Sequence, residues 1–102
     1  MALCLYAYYM YTMSEDIEFD PVKARANFAK HGVSFAHAEQ ALRDEFAVTI
    51  LDPVHHDEQR FLTVGMDAIG RLLVVCHAHR GEQTRLISAR KAGPNEVRSF
   101  HE

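Results

Sequence analysis

Between Ala47 and Lys91 the chain passes through four strand-like stretches with no room between them for a crossover. AVTIL (47–51), RFLTVGM (60–66), RLLVVCHAH (71–79) and QTRLISARK (83–91) are separated by DPVHHDEQ (52–59), by Asp67 to Gly70 and by Arg80-Gly81-Glu82. Parallel neighbours need a connection of a dozen or more residues, so strands joined this tightly must pair antiparallel. The stretch 71–79 is the most apolar and is expected at the centre of the sheet.

Upstream the period is different. IEFD (17–20) alternates and predicts a short strand. Asp20-Pro21 then opens a helix, with Asp20 as cap and Pro21 at the first helical position. Val22, Ala26, Ala29 and Phe28 are the expected apolar stripe, and His31-Gly32 is the expected end. Ser34 caps a second amphipathic helix over roughly 35–44, carried by Phe35, Ala38 and Leu42, with Phe46 as a further candidate. After the strands, Gly93-Pro94-Asn95 starts a short helix, EVRSFH. The order predicts an α+β domain: an antiparallel sheet with a helical hairpin packed on one face and a short C-terminal helix.

With 102 residues the chain is one domain at most. Its net charge of −3 conceals an uneven division. From Ser14 to Asp57 there are 4 basic and 9 acidic residues, a balance of −5; from Glu58 to His101 there are 7 and 4, a balance of +3; Glu102 supplies the last −1. A weakly acidic protein of this kind can still show a cationic face to a polyanion.

Cys4 and Cys76 form neither a disulfide framework nor a CxxC pair, which suits a reducing compartment, and each reads as a small buried apolar residue. MALCLYAYYMYT (1–12) is apolar and uncharged. It is too short for a membrane span and lacks the basic start of a signal peptide. Residues 1–16 are expected to be an extension outside the domain, either a mobile tail or the product of a start upstream of Met13, with residues 17–102 as the domain proper.

FDPVKARANFAKHGVSFAHA (19–38), RFLTVGMDAIGRLLVV (60–75) and RLISARKA (85–92) resemble the BrnT toxin family of bacterial type II toxin–antitoxin systems. The resemblance runs from about Ile17 to the C-terminus, and KHGVSF and ISARKA are its most specific parts. It implies a RelE-like fold, metal-independent endoribonuclease activity in the cytoplasm without a cofactor, and neutralisation by a BrnA-type antitoxin. Operator DNA would be met only indirectly, through that antitoxin, and no membrane is involved. Two segments depart from the family pattern: His37 stands where an acidic residue is usual, and CHAHR (76–80) replaces a segment that more often carries Tyr or Thr.

Cleaving RNA without a metal requires a group to take the 2′-hydroxyl proton, a cation to stabilise the phosphorane and a proton for the 5′-oxygen. Arginine suits the second task because its planar fork meets phosphate at two points. The expected catalytic set is Arg60 and Arg90 on the phosphate, His77 or Glu58 moving protons, and Ser88 as a hydrogen-bond donor. Arg80, Arg85, Lys91 and Lys30 are the expected RNA-binding cations. Strict alternation places Ser88 and Arg90 on one face of the last strand and Arg85, Ile87 and Lys91 on the other, unless a bulge intervenes. His77 and His79 should point the same way.

His55, His56, His77 and His79 lack any standard zinc spacing, so no metal site is expected. The competing reading is a non-catalytic interaction module, or a decayed toxin that only binds an antitoxin or repressor partner. The two helices superficially resemble a helix-turn-helix, but the second offers Arg43 as its one lysine or arginine and makes a poor recognition helix.

Overall fold

In the computed structural model, the structure describes residues 16–54 and 58–101. Eight elements follow in the order β1 (Ile17–Glu18), α1 (Pro21–His31), α2 (Phe35–Leu42), β2 (Val48–Leu51), β3 (Arg60–Met66), β4 (Leu72–Arg80), β5 (Gln83–Lys91) and α3 (Pro94–His101). The expected extension lies outside the described residues up to position 15, as do Cys4, His55 and His56.

The fold is α+β, and its sheet has the order β1-β5-β4-β3-β2. The four tightly connected strands pair antiparallel, as their short turns require. The expectation of a wholly antiparallel sheet needs one correction. β1 runs parallel to β5, with Ile17 opposite Thr84 and Glu18 opposite Arg85. No tight turn joins these two strands, so nothing in the chain obliges them to be antiparallel.

One face of the sheet is covered by the helical hairpin. Val33, Phe35, Ala38 and Ala41 pack on Leu73, Val75, Leu86 and Ala89, and all eight are buried. Ser34 caps α2 as expected, its hydroxyl accepting from the His37 amide. Phe46 is left exposed. Gly65 in β3 is required by this packing, because a Cβ there would overlap the Ala41 carbonyl of α2.

α1 has the expected ends but not the expected face. The Val22 amide donates to Asp20 Oδ1 at 2.8 Å, and Gly32 closes the helix at a φ of 69°. Val22 and Phe28, however, are mostly exposed, and the buried residue is Asn27. Its Nδ2 donates to the carbonyls of Ala89 (2.9 Å) and Val33 (3.0 Å), and its Oδ1 accepts from the Ala89 amide (3.0 Å). The carboxamide thereby pairs with the outer edge of β5 much as another strand would. Polar pairing overrides the apolar stripe here, because a buried edge amide without a partner costs about 1–3 kcal/mol.

Candidate functional site

The opposite face of the sheet is only partly covered, by α3, and its chemistry is set by one irregularity in β5. The β4–β5 register runs Val74↔Arg90, Val75↔Ala89, Cys76↔Ser88 and then shifts, so that His77 pairs with Leu86 and Ala78 with Arg85. The extra residue, Ile87, is a β-bulge. It reverses the parity of everything before it. Arg85, Ser88 and Arg90 therefore occupy register positions of the same face, opposite Ala78, Cys76 and Val74. This corrects the strict-alternation expectation that separated Arg85 from Ser88 and Arg90.

Arg60 of β3 also pairs with Ala78, so Arg60, Ala78 and Arg85 form one row across three strands. Between the two arginines sits Glu58. Arg60 Nη2 lies 3.4 Å from Glu58 Oε2 and Arg85 Nη1 lies 3.6 Å from Oε1. Both guanidiniums are mostly enclosed yet reach the surface, and Arg60 Nε is buried with no hydrogen-bond partner among the described residues.

The loop that delivers Glu58 is tied at its base by Asp52, a residue the sequence reading passed over as part of a polar turn. The Asp52 amide donates to the Arg60 carbonyl at 2.8 Å, and Asp52 Oδ1 accepts from the Val54 amide at 3.0 Å. Asp52 is itself buried. The D-P pair was the available signal, since an aspartate ahead of a proline commonly organises a turn through its own backbone contacts. Cys76, one row along, is inert as a nucleophile: burial pushes its thiol up, and the positive charge of Arg60 only partly opposes that while Asp52 and Glu58 add to it.

Arg90 is differently engaged. Its Nη1 and Nη2 donate to Glu96 Oε1 and Oε2 at 2.8 and 2.7 Å, a bidentate fork that fastens α3 to the sheet. Glu96 also accepts from the Gly93 amide at 2.7 Å. The hydrogen bonds from Arg90 hold the Glu96 carboxyl down to about 2, burial opposing them, and the same bonds raise Arg90. The contrast with the longer Arg60–Glu58–Arg85 contacts is one of kind: the first is a closed pair, the second an open one.

His77 lies at a position of the covered face, in register with Leu86 and Phe61. Its Nε2 is 2.7 Å from Thr63 Oγ1, which is in turn 2.7 Å from Thr49 Oγ1. Burial first, and the neighbouring His79 second, lower its pKa to about 4, so it is neutral at pH 7. As expected from alternation, His79 shares its side, and both rings contact Phe61. The structure does not bring His77 together with the arginine row.

The remaining expected residues are dispersed. Arg80 ends β4 and reaches Glu18 at 3.4 Å. Lys91 is exposed at the end of β5, and Lys30 lies in the last turn of α1. Among the described residues no cluster of three or more His, Cys, Asp or Glu side chains could hold a metal, and no helix is long and apolar enough to cross a membrane.

A family model for the ribonuclease toxin BrnT of type II toxin–antitoxin systems matches residues 19–96. The crystal structure of the Brucella abortus ribonuclease toxin BrnT superposes with a TM-score of 0.56 at 29% sequence identity, covering 76% of this chain and 95% of that one. No curated protein sequence matches. With the helical hairpin, the five-stranded sheet and most of its length accounted for, the chain belongs to the BrnT family of ribonuclease toxins of type II toxin–antitoxin systems.

Proposed function

We propose that this toxin is a metal-independent endoribonuclease whose phosphate clamp is the Arg60–Arg85 pair and whose proton acceptor is Glu58. The observation that carries this is the single row Arg60–Ala78–Arg85 with Glu58 bridging it at 3.4 and 3.6 Å. Charge-assisted N–H···O bonds normally close to about 2.7–2.9 Å, so these contacts are loose enough for a phosphate to displace the carboxylate from the forks. The two guanidiniums then face the non-bridging oxygens where negative charge develops.

In the cleavage step the 2′-oxygen attacks phosphorus while its proton passes to Glu58. The P–O5′ bond breaks, a 2′,3′-cyclic phosphate forms, and the departing 5′-oxygen takes a proton from the solvent to which this face is open. Ser88, two ladder positions from the arginine row, supplies a hydroxyl donor. Between the two proton carriers foreseen in the sequence, the geometry supports Glu58, because His77 is buried on the covered side and already bonded to Thr63. Arg90 is read as the anchor of α3 rather than as a phosphate ligand.

The partner is a BrnA-type antitoxin, and operator DNA is contacted through it alone. The cytoplasm is the compartment in which such a toxin meets its RNA. Cleavage of purified RNA by the full chain in EDTA, alongside Arg60→Ala and Arg85→Ala, tests the reading. Cutting that persists in EDTA and disappears in both variants supports it. A folded protein that neither cuts RNA nor arrests growth would instead be a partner-binding module, and cutting that survives both substitutions would move the site elsewhere.

A further inference from the structure

Six arginines, Arg43, Arg60, Arg71, Arg80, Arg85 and Arg90, have a carboxylate partner in the structure. Lys23 and Lys30 on α1 have none among the described residues. Seven residues apart, they share one side of the helix. With His31 they line a cleft of about 240 Å³ whose other wall includes Ser88 of β5. Arg25, Lys91 and Arg98 likewise lack a carboxylate partner among the described residues, so the cleft beside the bulge is one place where, unlike in the arginine row, a polyanion would meet unopposed charge.

The cleft exists because the edge of β5 is left open there. Pairing with β1 ends at Arg85, and the Asn27 bonds begin only at Ala89. Leu86 to Ser88 thus form a gap between two covered segments, and it is here that Ile87 bulges. The Ser88 hydroxyl has no hydrogen-bond partner among the described residues. Buried Asn27, bonded to both β5 and Val33, fixes α1 at the distance that keeps the cleft formed. Along β5, Ser88 lies two ladder steps from the arginine row, about 7 Å at the usual rise per residue.

We propose that this cleft is a second phosphate subsite, in which Lys23, Lys30 and the Ser88 hydroxyl hold the backbone of the RNA strand next to the phosphate cut at Arg60–Arg85. The proposal rests on the ribonuclease reading and adds to it the path of the strand, from the sheet face over the bulge of β5 and onto α1. Ser88 belongs to both sites and joins them. His31 borders the cleft, and a ring N–H can donate to the same phosphate.

Lys23→Glu/Lys30→Glu and Arg25→Glu form the test, because all three positions are exposed on α1 while Arg25 is turned about 200° from Lys23. Anisotropy of a labelled single-stranded RNA, titrated across salt in EDTA, should show the double variant binding at least about tenfold more weakly, with a salt slope shallower by about 1.4. KM for cleavage should rise with kcat held within about twofold, while Arg25→Glu moves little. Equal effects at the two sites, per charge reversed, would reduce the cleft to net charge and overturn the subsite. Inorganic pyrophosphate titrated into labelled protein gives a readout independent of cleavage, through the Ser88 amide and the Lys30 ammonium resonances. If these shift but RNA is not cut, the subsite stands and the ribonuclease reading falls. If RNA is cut and they do not shift, the reading stands and the subsite falls; if neither occurs, both fall.

Discussion

The two faces of the β3–β4–β5 sheet are made from alternate residues of the same strands, and they solve opposite problems. The covered face is apolar at its centre, with a short polar chain, Thr49–Thr63–His77, joined by short internal contacts, and with His79 and Thr84 towards the end of the ladder. The other face carries Arg60, Arg85 and Arg90, each matched to a carboxylate. On the first face a titratable group is kept neutral by burial; on the second, charge is retained at the surface and held by a partner that can leave. A strand in this protein is therefore not a catalytic or a structural element as a whole. Its odd and even positions divide the two tasks, and the bulge at Ile87 decides which residue joins which.

Arg60→Ala is the sharpest way to break this division. Loss of one preorganised cation from a phosphorane site costs about 2.7–4 kcal/mol of transition-state stabilisation, so RNA cleavage should fall roughly 10²- to 10³-fold. Stability should change by no more than about 1 kcal/mol, since the contact to Glu58 is long and partly exposed. Single-turnover cleavage together with urea unfolding would separate the two. A variant that unfolds but cuts at the normal rate below its midpoint would exchange the roles of the two faces.

The covered face should answer to pH through its one buried imidazole. His77 has a folded pKa of about 4 against 6.5 for a solvent-exposed imidazole in the unfolded chain, so it binds its proton more readily when the chain is unfolded. The stabilisation is complete above pH 6.5 and is lost progressively as pH falls through about 4, amounting to about 3 kcal/mol at most. Urea midpoints measured between pH 7 and pH 4 should show this decline. His77→Gln, which keeps a polar group for Thr63, should flatten it. An unchanged slope in that variant would place the responsible group elsewhere.

How much of this was visible in the sequence depends on which physical signal each residue left. The antiparallel meander was legible because turns as short as Asp67–Gly70 leave no other pairing. The helix ends were legible because Asp20-Pro21 and Gly32 have strong positional preferences, and the structure uses them so. The side of α1 that faces the sheet was not, because the decisive residue is Asn27, whose worth lies in bonds to Ala89, 62 residues away. The bulge was equally silent: Ile87 and Ser88 are ordinary strand residues, and only pairing with β4 reveals that one is extra. That single residue changes the side on which Arg85 stands, and with it the membership of the proposed site.

Asn27→Ala tests the long-range bond that the sequence concealed. It leaves the Ala89 amide and carbonyl and the Val33 carbonyl buried without their partner, a cost of about 2–3 kcal/mol. For a chain of this size that is a drop in Tm on the order of 10–20 °C. Below the new midpoint the arginine row should still form, so the cleavage rate at saturating RNA should change little. A large loss of kcat in a protein that remains folded would show that α1 tensions the bulge and through it the site.

The smallest effect is expected at Glu96→Gln, and it is the one that separates the two ion pairs of the open face. The Arg90–Glu96 fork has bidentate geometry at 2.7 and 2.8 Å, but both side chains reach solvent, so its contribution to stability should be about 1 kcal/mol or less. What remains of it should disappear in acid, because the Glu96 carboxyl sits at about 2 against an ordinary 4.5: the stabilisation is present above pH 4.5 and is lost as pH falls towards 2. If Arg90 only anchors α3, freeing it should leave RNA cleavage within about twofold of the parent. If the released guanidinium can swing to the phosphate, cleavage should rise several-fold, and Arg90→Ala combined with Glu96→Gln should abolish the rise. The loose pair around Glu58 and the tight pair around Glu96 would then differ in occupancy rather than in kind, and the open face would hold three phosphate-seeking arginines where the resting structure offers two.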